Sequence, residues 1–154
     1  MPRPSREAVG RPVAAELLRP DKGMIGAMTV PAAGPSAPPV PELHVANAAF
    51  VTDRLAVGGD LSPNFARARE QLDELVGAGI THIVDLREEW SDEVLVRTWE
   101  PQLHYLQHRV ADAGQRIGPE WFGDLVDWVD EALADPAAKV LVHCHRGLNR
   151  APTA

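Results

Sequence analysis

The sequence is short of several things, and each shortage excludes something. One cysteine among 154 residues rules out an internal disulfide, and with it the stapled scaffold of small secreted domains. No apolar run approaches the roughly 18 residues a membrane span needs. Met24 to Ala33 is the mildest candidate for a signal segment, but Gly26 and Pro31 interrupt it, so the expected compartment is the cytoplasm. Basic residues are outnumbered, 15 against 22, for a net charge of −7. A chain of that balance repels polyanions, which disfavours general nucleic-acid or anionic-membrane binding. Aromatic residues make up only 5 % of the chain, and all of them fall after residue 41.

What is present divides the sequence in two. Residues 1–41 hold 9 of the 14 prolines and carry five basic against three acidic side chains. Such a segment buries too little apolar surface to offset its ordering entropy. It reads as a disordered, Pro/Ala-rich leader, with one helical turn at Ala14–Leu18 and an extended linker from Pro31 to Pro41. Met24 and Met28 are alternative starts. Residues 42–154 carry a net charge of −9 and form the folded domain.

Within that domain, strands alternate with helices. Phe50–Val51 and Leu55–Val57 flank a turn at Thr52-Asp53. Ser62 before Pro63 predicts a helix start, followed by Phe65, Ala68, Leu72, Leu75 and Val76 on one face. Glu70 and Glu74, opposite that face, read as solvated, as do Asp124, Asp127 and Asp130 on the later helix. Ile80–Leu86 reads as a buried strand. Ser91 caps a short helix through Trp99, and Leu103–Val110 is the next strand. A helix opened by Pro119 carries Trp121, Phe122, Leu125, Trp128, Val129, Ala132 and Leu133 on one face. Lys139–Cys144 is a final core strand. This alternation predicts an α/β fold with a mixed, partly parallel sheet flanked by helices.

The chemistry concentrates in His143-Cys144-His145-Arg146-Gly147-Leu148-Asn149-Arg150, directly after an apolar strand. The strand end places Cys144 at the carboxyl edge of the sheet, where α/β folds bind ligands. Five residues suffice to wrap a tetrahedral anion. Gly147 permits positive φ, successive backbone N–H groups form an anion nest, and the planar fork of Arg150 takes two phosphate oxygens. Such a field favours a cysteine thiolate, a nucleophile aimed at phosphorus. Arg146 and Arg150 thus make a local positive pocket within an acidic domain. A metal site formed by His143, Cys144 and His145 is disfavoured, because neighbours on a strand face opposite ways. His104 and His108, four apart on a strand, stand roughly 13 Å apart.

His143-Cys144-x5-Arg150 resembles the signature of cysteine-based protein phosphatases, and the order of elements resembles their dual-specificity branch. The likeness runs from Ala46 to the C-terminus, taking in Thr52–Gly59 and Gly79–Leu86. It implies a phosphotyrosine phosphatase-like fold and hydrolysis of phosphoprotein phosphomonoesters through a phosphocysteine, with no cofactor and no metal. It assigns Cys144 as nucleophile, with His145, Arg146, Gly147, Leu148, Asn149 and Arg150 as the phosphate loop. Asp112, in Val110-Ala111-Asp112-Ala113-Gly114, is similar to the general acid. His143 would support the loop by hydrogen bonding, and Asp85 would brace it from the neighbouring strand. Two departures stand out. Ala151 occupies the place of the family's serine or threonine, with Thr153 a nearby substitute. The sequence also stops four residues after Arg150, where the family has a long helix. The expectation is a truncated product or an incomplete gene model. The alternatives are an RNA 5′-phosphatase of the same superfamily, or an inactive remnant that only binds phosphate.

Overall fold

The computed structural model describes residues 39–154. The expected leader therefore lies almost wholly outside the described residues, as does its helical turn at 14–18. Five strands form one sheet in the order β1-β2-β5-β3-β4. They are β1 (Ala48–Phe50), β2 (Leu55–Gly58), β3 (His82–Arg87), β4 (His104–Val110) and β5 (Val140–His143). β1 pairs antiparallel with β2, and all other pairings are parallel. The mixed α/β architecture expected from the sequence is the one observed.

The helices are α1 (Phe65–Gly77), α2 (Glu93–Trp99), α3 (Pro119–Leu133) and the short α4 (Arg150–Thr153). Strand alternation sorts the core into two layers. Val84, Leu86, Val140 and Val142 pack with Leu125 and Ala132 of α3. Ile83, Leu141 and Ala56 pack with Leu72 and Leu75 of α1 and Val96 of α2. The layering follows from the order of the strands. β2, β3 and β4 progress in one direction with α1 and α2 on one face. The chain then turns back to β5, and a right-handed crossover places α3 on the other. β5 leaves toward α4 while its neighbours leave toward α1 and α2, so the sheet has a switch point at the carboxyl end of β5. A crevice opens at such a point.

Three local expectations need correction. The N-cap of α1 is Asn64, whose side chain accepts from Arg67 N–H at 3.0 Å. Ser62 instead accepts from Asn64 N–H in the preceding turn. Phe65 stays 68 % exposed and meets Trp99 edge-on at 6.3 Å. Glu74 is not merely solvated, since its carboxylate accepts the N–H groups of His44, Val45 and Ala46 at 2.6–2.8 Å. Partial burial opposes its charge, but those three donors outweigh it and hold the carboxyl below its ordinary value. Glu74 thereby ties the incoming chain to α1, a role that depends on residues 28 to 30 positions away and is invisible to helical periodicity.

Candidate active site

Cys144 follows directly on β5, with its side chain on the α3–α4 side, 2 % exposed. Its N–H donates to Gly58 O at 3.1 Å, extending the β2–β5 pairing by one step. The chain then curls back. Gly147 adopts φ +71°, and its N–H donates to Cys144 Sγ at 3.3 Å. A side chain at 147 would place its Cβ 2.6 Å from Gly58 C and 2.9 Å from Gly59 N. The loop thus seats on the backbone of the Gly58-Gly59 pair, and Gly59 bridges to Arg146. Leu148 projects outward, 79 % exposed.

Arg150 is buried at the start of α4. Its fork does not wait empty. Nη1 and Nη2 donate to Glu89 Oε2 and Oε1 at 2.8 and 2.6 Å, and Nη1 also reaches Val110 O at 3.2 Å. The guanidinium holds the Glu89 carboxyl down to about 2, and Glu89 in turn raises Arg150. Arg150 Nε is buried with no hydrogen-bond partner. This corrects the expectation of a positive pocket: Arg150 is balanced by two carboxylates, Glu89 and, at 3.7 Å, Asp112.

Asp112 sits in the loop after β4, about half exposed. Asn149 Nδ2 donates to its Oδ1 at 2.6 Å. The structure therefore brings Asp112, Asn149 and Arg150 together from segments 37 and 38 residues apart. His143 faces the α1–α2 side. Burial pushes its imidazole down, so it is neutral. Nδ1 has no partner and Nε2 stands 4.0 Å from Asp85 Oδ2. Ala151 is buried against the core at 3 % exposure. Thr153 Oγ1 donates to Asn149 O at 2.7 Å, so that hydroxyl is already engaged.

Asp85 does not hydrogen-bond the loop. It accepts from Arg87 Nε and Nη2 at 2.8 and 2.7 Å and from Tyr105 Oη at 2.6 Å. Burial alone would raise its carboxyl, but the hydrogen bonds from Arg87 and Tyr105 keep it below the ordinary range. Arg87, 1 % exposed, also donates to Asp60 Oδ2 at 2.9 Å and pairs with Asp92 at 2.9 Å. Asp60 Oδ2 accepts in addition from Nδ1–H of His145 at 2.8 Å. Glu89, Arg87 and Asp60 were not singled out from the sequence. The available signal was positional: ionisable residues at or just past the carboxyl ends of β2 and β3, the two strands that flank β5. Among the described residues, no group of three or more His, Cys, Asp or Glu side chains could hold a metal. His82 and His104 stack at 4.5 Å at the amino ends of their strands, away from this loop.

An α/β sheet whose central strand opens into a Cys-x5-Arg loop defines a protein of tyrosine-phosphatase-like fold, and solved structures bear out the fold. The chain is similar to Tk-PTP, solved in an active form and in a mutant form. Each matches with TM-score 0.54 and 25 % identity over 70 % of this chain and 66 % or 67 % of Tk-PTP. The human tyrosine phosphatase-like serine/threonine/tyrosine-interacting protein matches with TM-score 0.52 and 23 % identity, over 68 % of this chain and 66 % of its own. The chain thus spans about two thirds of the length of these proteins. No family model matches the sequence. No helix among the described residues is long and apolar enough to cross a membrane.

Proposed function

We propose that this chain carries a phosphatase site that hydrolyses phosphomonoesters of phosphoprotein, on phosphotyrosine and on phosphoserine or phosphothreonine. The observation that carries this reading is the Gly147 N–H donating to Cys144 Sγ at 3.3 Å, because a loop that curls an amide back onto its own sulfur places a hydrogen-bond donor beside the atom that would attack phosphorus. The buried Nε of Arg150 adds a donor with no protein acceptor, the kind of orphan that a phosphate oxygen satisfies.

In the first step Cys144 Sγ attacks phosphorus, forming a P–S bond as the P–O bond to the leaving group breaks. Asp112 delivers a proton to the departing oxygen. In the second step a water attacks phosphorus, Asp112 takes its proton, the P–S bond breaks and inorganic phosphate leaves. Asn149 fixes Asp112, and Glu89 holds the Arg150 plane while leaving Nε to the substrate. Asp85 acts on this constellation indirectly, through Arg87, Asp60 and His145, and His143 backs Cys144 from the other face of the sheet. A thiolate nucleophile requires a reducing compartment, which suits the cytoplasm.

Ala151 favours a second reading, a loop that binds phosphate without efficient turnover, since no hydroxyl there assists departure of the thiolate. The two readings separate in one experiment. Wild-type chain and Cys144→Ser are assayed with p-nitrophenyl phosphate and a phosphotyrosine peptide, alongside titration with inorganic phosphate. Turnover abolished by the substitution supports hydrolysis. Phosphate binding without turnover in the wild type supports the second reading, and residual turnover in the serine variant refutes the nucleophile.

A further inference from the structure

We propose that Asp60 is a positioning residue for the 144–150 loop, acting through His145, with Arg87 fixing Asp60 in turn. The inference rests on residues 144–150 being a reactive phosphate loop. Asp60 follows Gly58-Gly59, and these three residues grip the loop together. Gly58 accepts from Cys144 N–H and supports Gly147. Gly59 pairs with Arg146. Asp60 N–H donates to His145 O at 3.3 Å while its Oδ2 accepts from His145 Nδ1–H at 2.8 Å. Of these grips, the one between Asp60 and His145 runs through side chains.

An exposed carboxylate–imidazole pair is ordinarily worth little, because two free side chains must both be ordered to form it. Here one partner is ordered in advance. The Asp60 side chain is 19 % exposed and held by Arg87, which is 1 % exposed and held by Asp85 and Asp92. A rigid line of charge therefore runs from the core to the loop, and the ordering cost falls on His145 alone. The imidazole, half exposed, meets Trp90 edge-on at 6.0 Å, so it is confined between a carboxylate and an indole. His145 adjoins Cys144 in the chain, so clamping its ring and its carbonyl fixes the first turn of the loop over the sulfur. If Asp60 served only to neutralise Arg87, its loss would alter stability and leave the loop unchanged.

The chain has a single cysteine, so alkylation by iodoacetamide reports on this loop without needing a substrate. The limiting rate at alkaline pH, where the thiolate is complete, measures access to the sulfur. Asp60→Asn keeps an oxygen for Arg87 but removes the charge that holds His145. Asp60→Asn and His145→Ala are each expected to raise the limiting rate by about three- to fivefold, the worth of a partly exposed ionic hydrogen bond. The double variant should match the singles, and His145→Gln, which retains a donor, should return most of the wild-type rate. Multiplicative effects in the double variant, or a lowered melting temperature with an unchanged rate, would overturn the proposal. If Asp60→Asn does not fold, the two His145 variants decide: equal rates for Ala and Gln count against it, and wild-type behaviour of Gln alone supports it. Absence of phosphomonoester turnover in the wild type would count against the proposed function and leave this comparison intact.

Discussion

Removing the Arg87 guanidinium takes the shared cation from a buried cluster of three carboxylates. Arg87→Met keeps most of the side-chain volume and deletes four contacts: two to Asp85, one to Asp60 and one to Asp92. It leaves three carboxylates around a space that holds no cation, and Asp85 is fully buried. Breaking a buried ion pair from one side costs about 3–5 kcal/mol. A domain of this size has about 5–15 kcal/mol in all, and 1 kcal/mol moves its melting temperature by roughly 3–6 °C. The expected fall is therefore about 9–30 °C at neutral pH. The deficit should depend on pH in a defined sense. In the wild type the Asp85 carboxyl is depressed, so its contribution is present above the ordinary aspartate pKa of about 3.9 and lost as pH falls through the lower folded value. In Arg87→Met, burial acts on Asp85 without its strongest opponent and raises it, so acid relieves the penalty. Calorimetric or dichroism melts of both proteins from pH 7 to pH 4 test this. A fall under about 3 °C at pH 7, or a difference that fails to narrow toward pH 4, would refute the account of a charge-balanced network.

Gly147→Ala forces a Cβ against the Gly58 and Gly59 backbone at positive φ, so the loop should lift from β2. The expected cost is about 2–4 kcal/mol, read as a lower melting temperature together with faster alkylation of Cys144; an unchanged alkylation rate would place the seat of the loop elsewhere. Asp112→Asn preserves the oxygen that Asn149 holds and removes the proton. Turnover of an alkyl phosphate should drop by about 100-fold or more while p-nitrophenyl phosphate is far less affected, and equal losses would remove Asp112 from the acid role. Acidification should lower stability in two stages. Below about pH 6.5 the unfolded chain protonates histidines that the fold keeps neutral, His143 and His82, both pushed down chiefly by burial. Below about pH 4.3 the Glu89–Arg150 bridge adds its loss, extending down to about 2. A melting temperature that rises between pH 7 and pH 5 would contradict the first stage.

The sequence alone determined what is local or periodic. Strand-forming runs of β-branched residues, the apolar face of α3 and the spacing of Cys144 to Arg150 are each encoded locally, so the α/β class and the candidate loop could be read directly. The glycine at 147 could be read too, because a tight return toward its own cysteine has few other solutions. The tertiary structure decided everything that depends on which strands become neighbours. β5 enters between β2 and β3, and that insertion brings Asp60 and Arg87 to the cysteine loop and sets Glu89 on Arg150. Separations of 61 and 85 residues leave no periodic trace, and the charges involved look in the sequence like any solvated acid or base. The same insertion turned an expected positive pocket into a balanced one. The order of strands in the sheet, a global property, thus fixes the electrostatics around a loop whose candidate nucleophile was legible in eight consecutive residues.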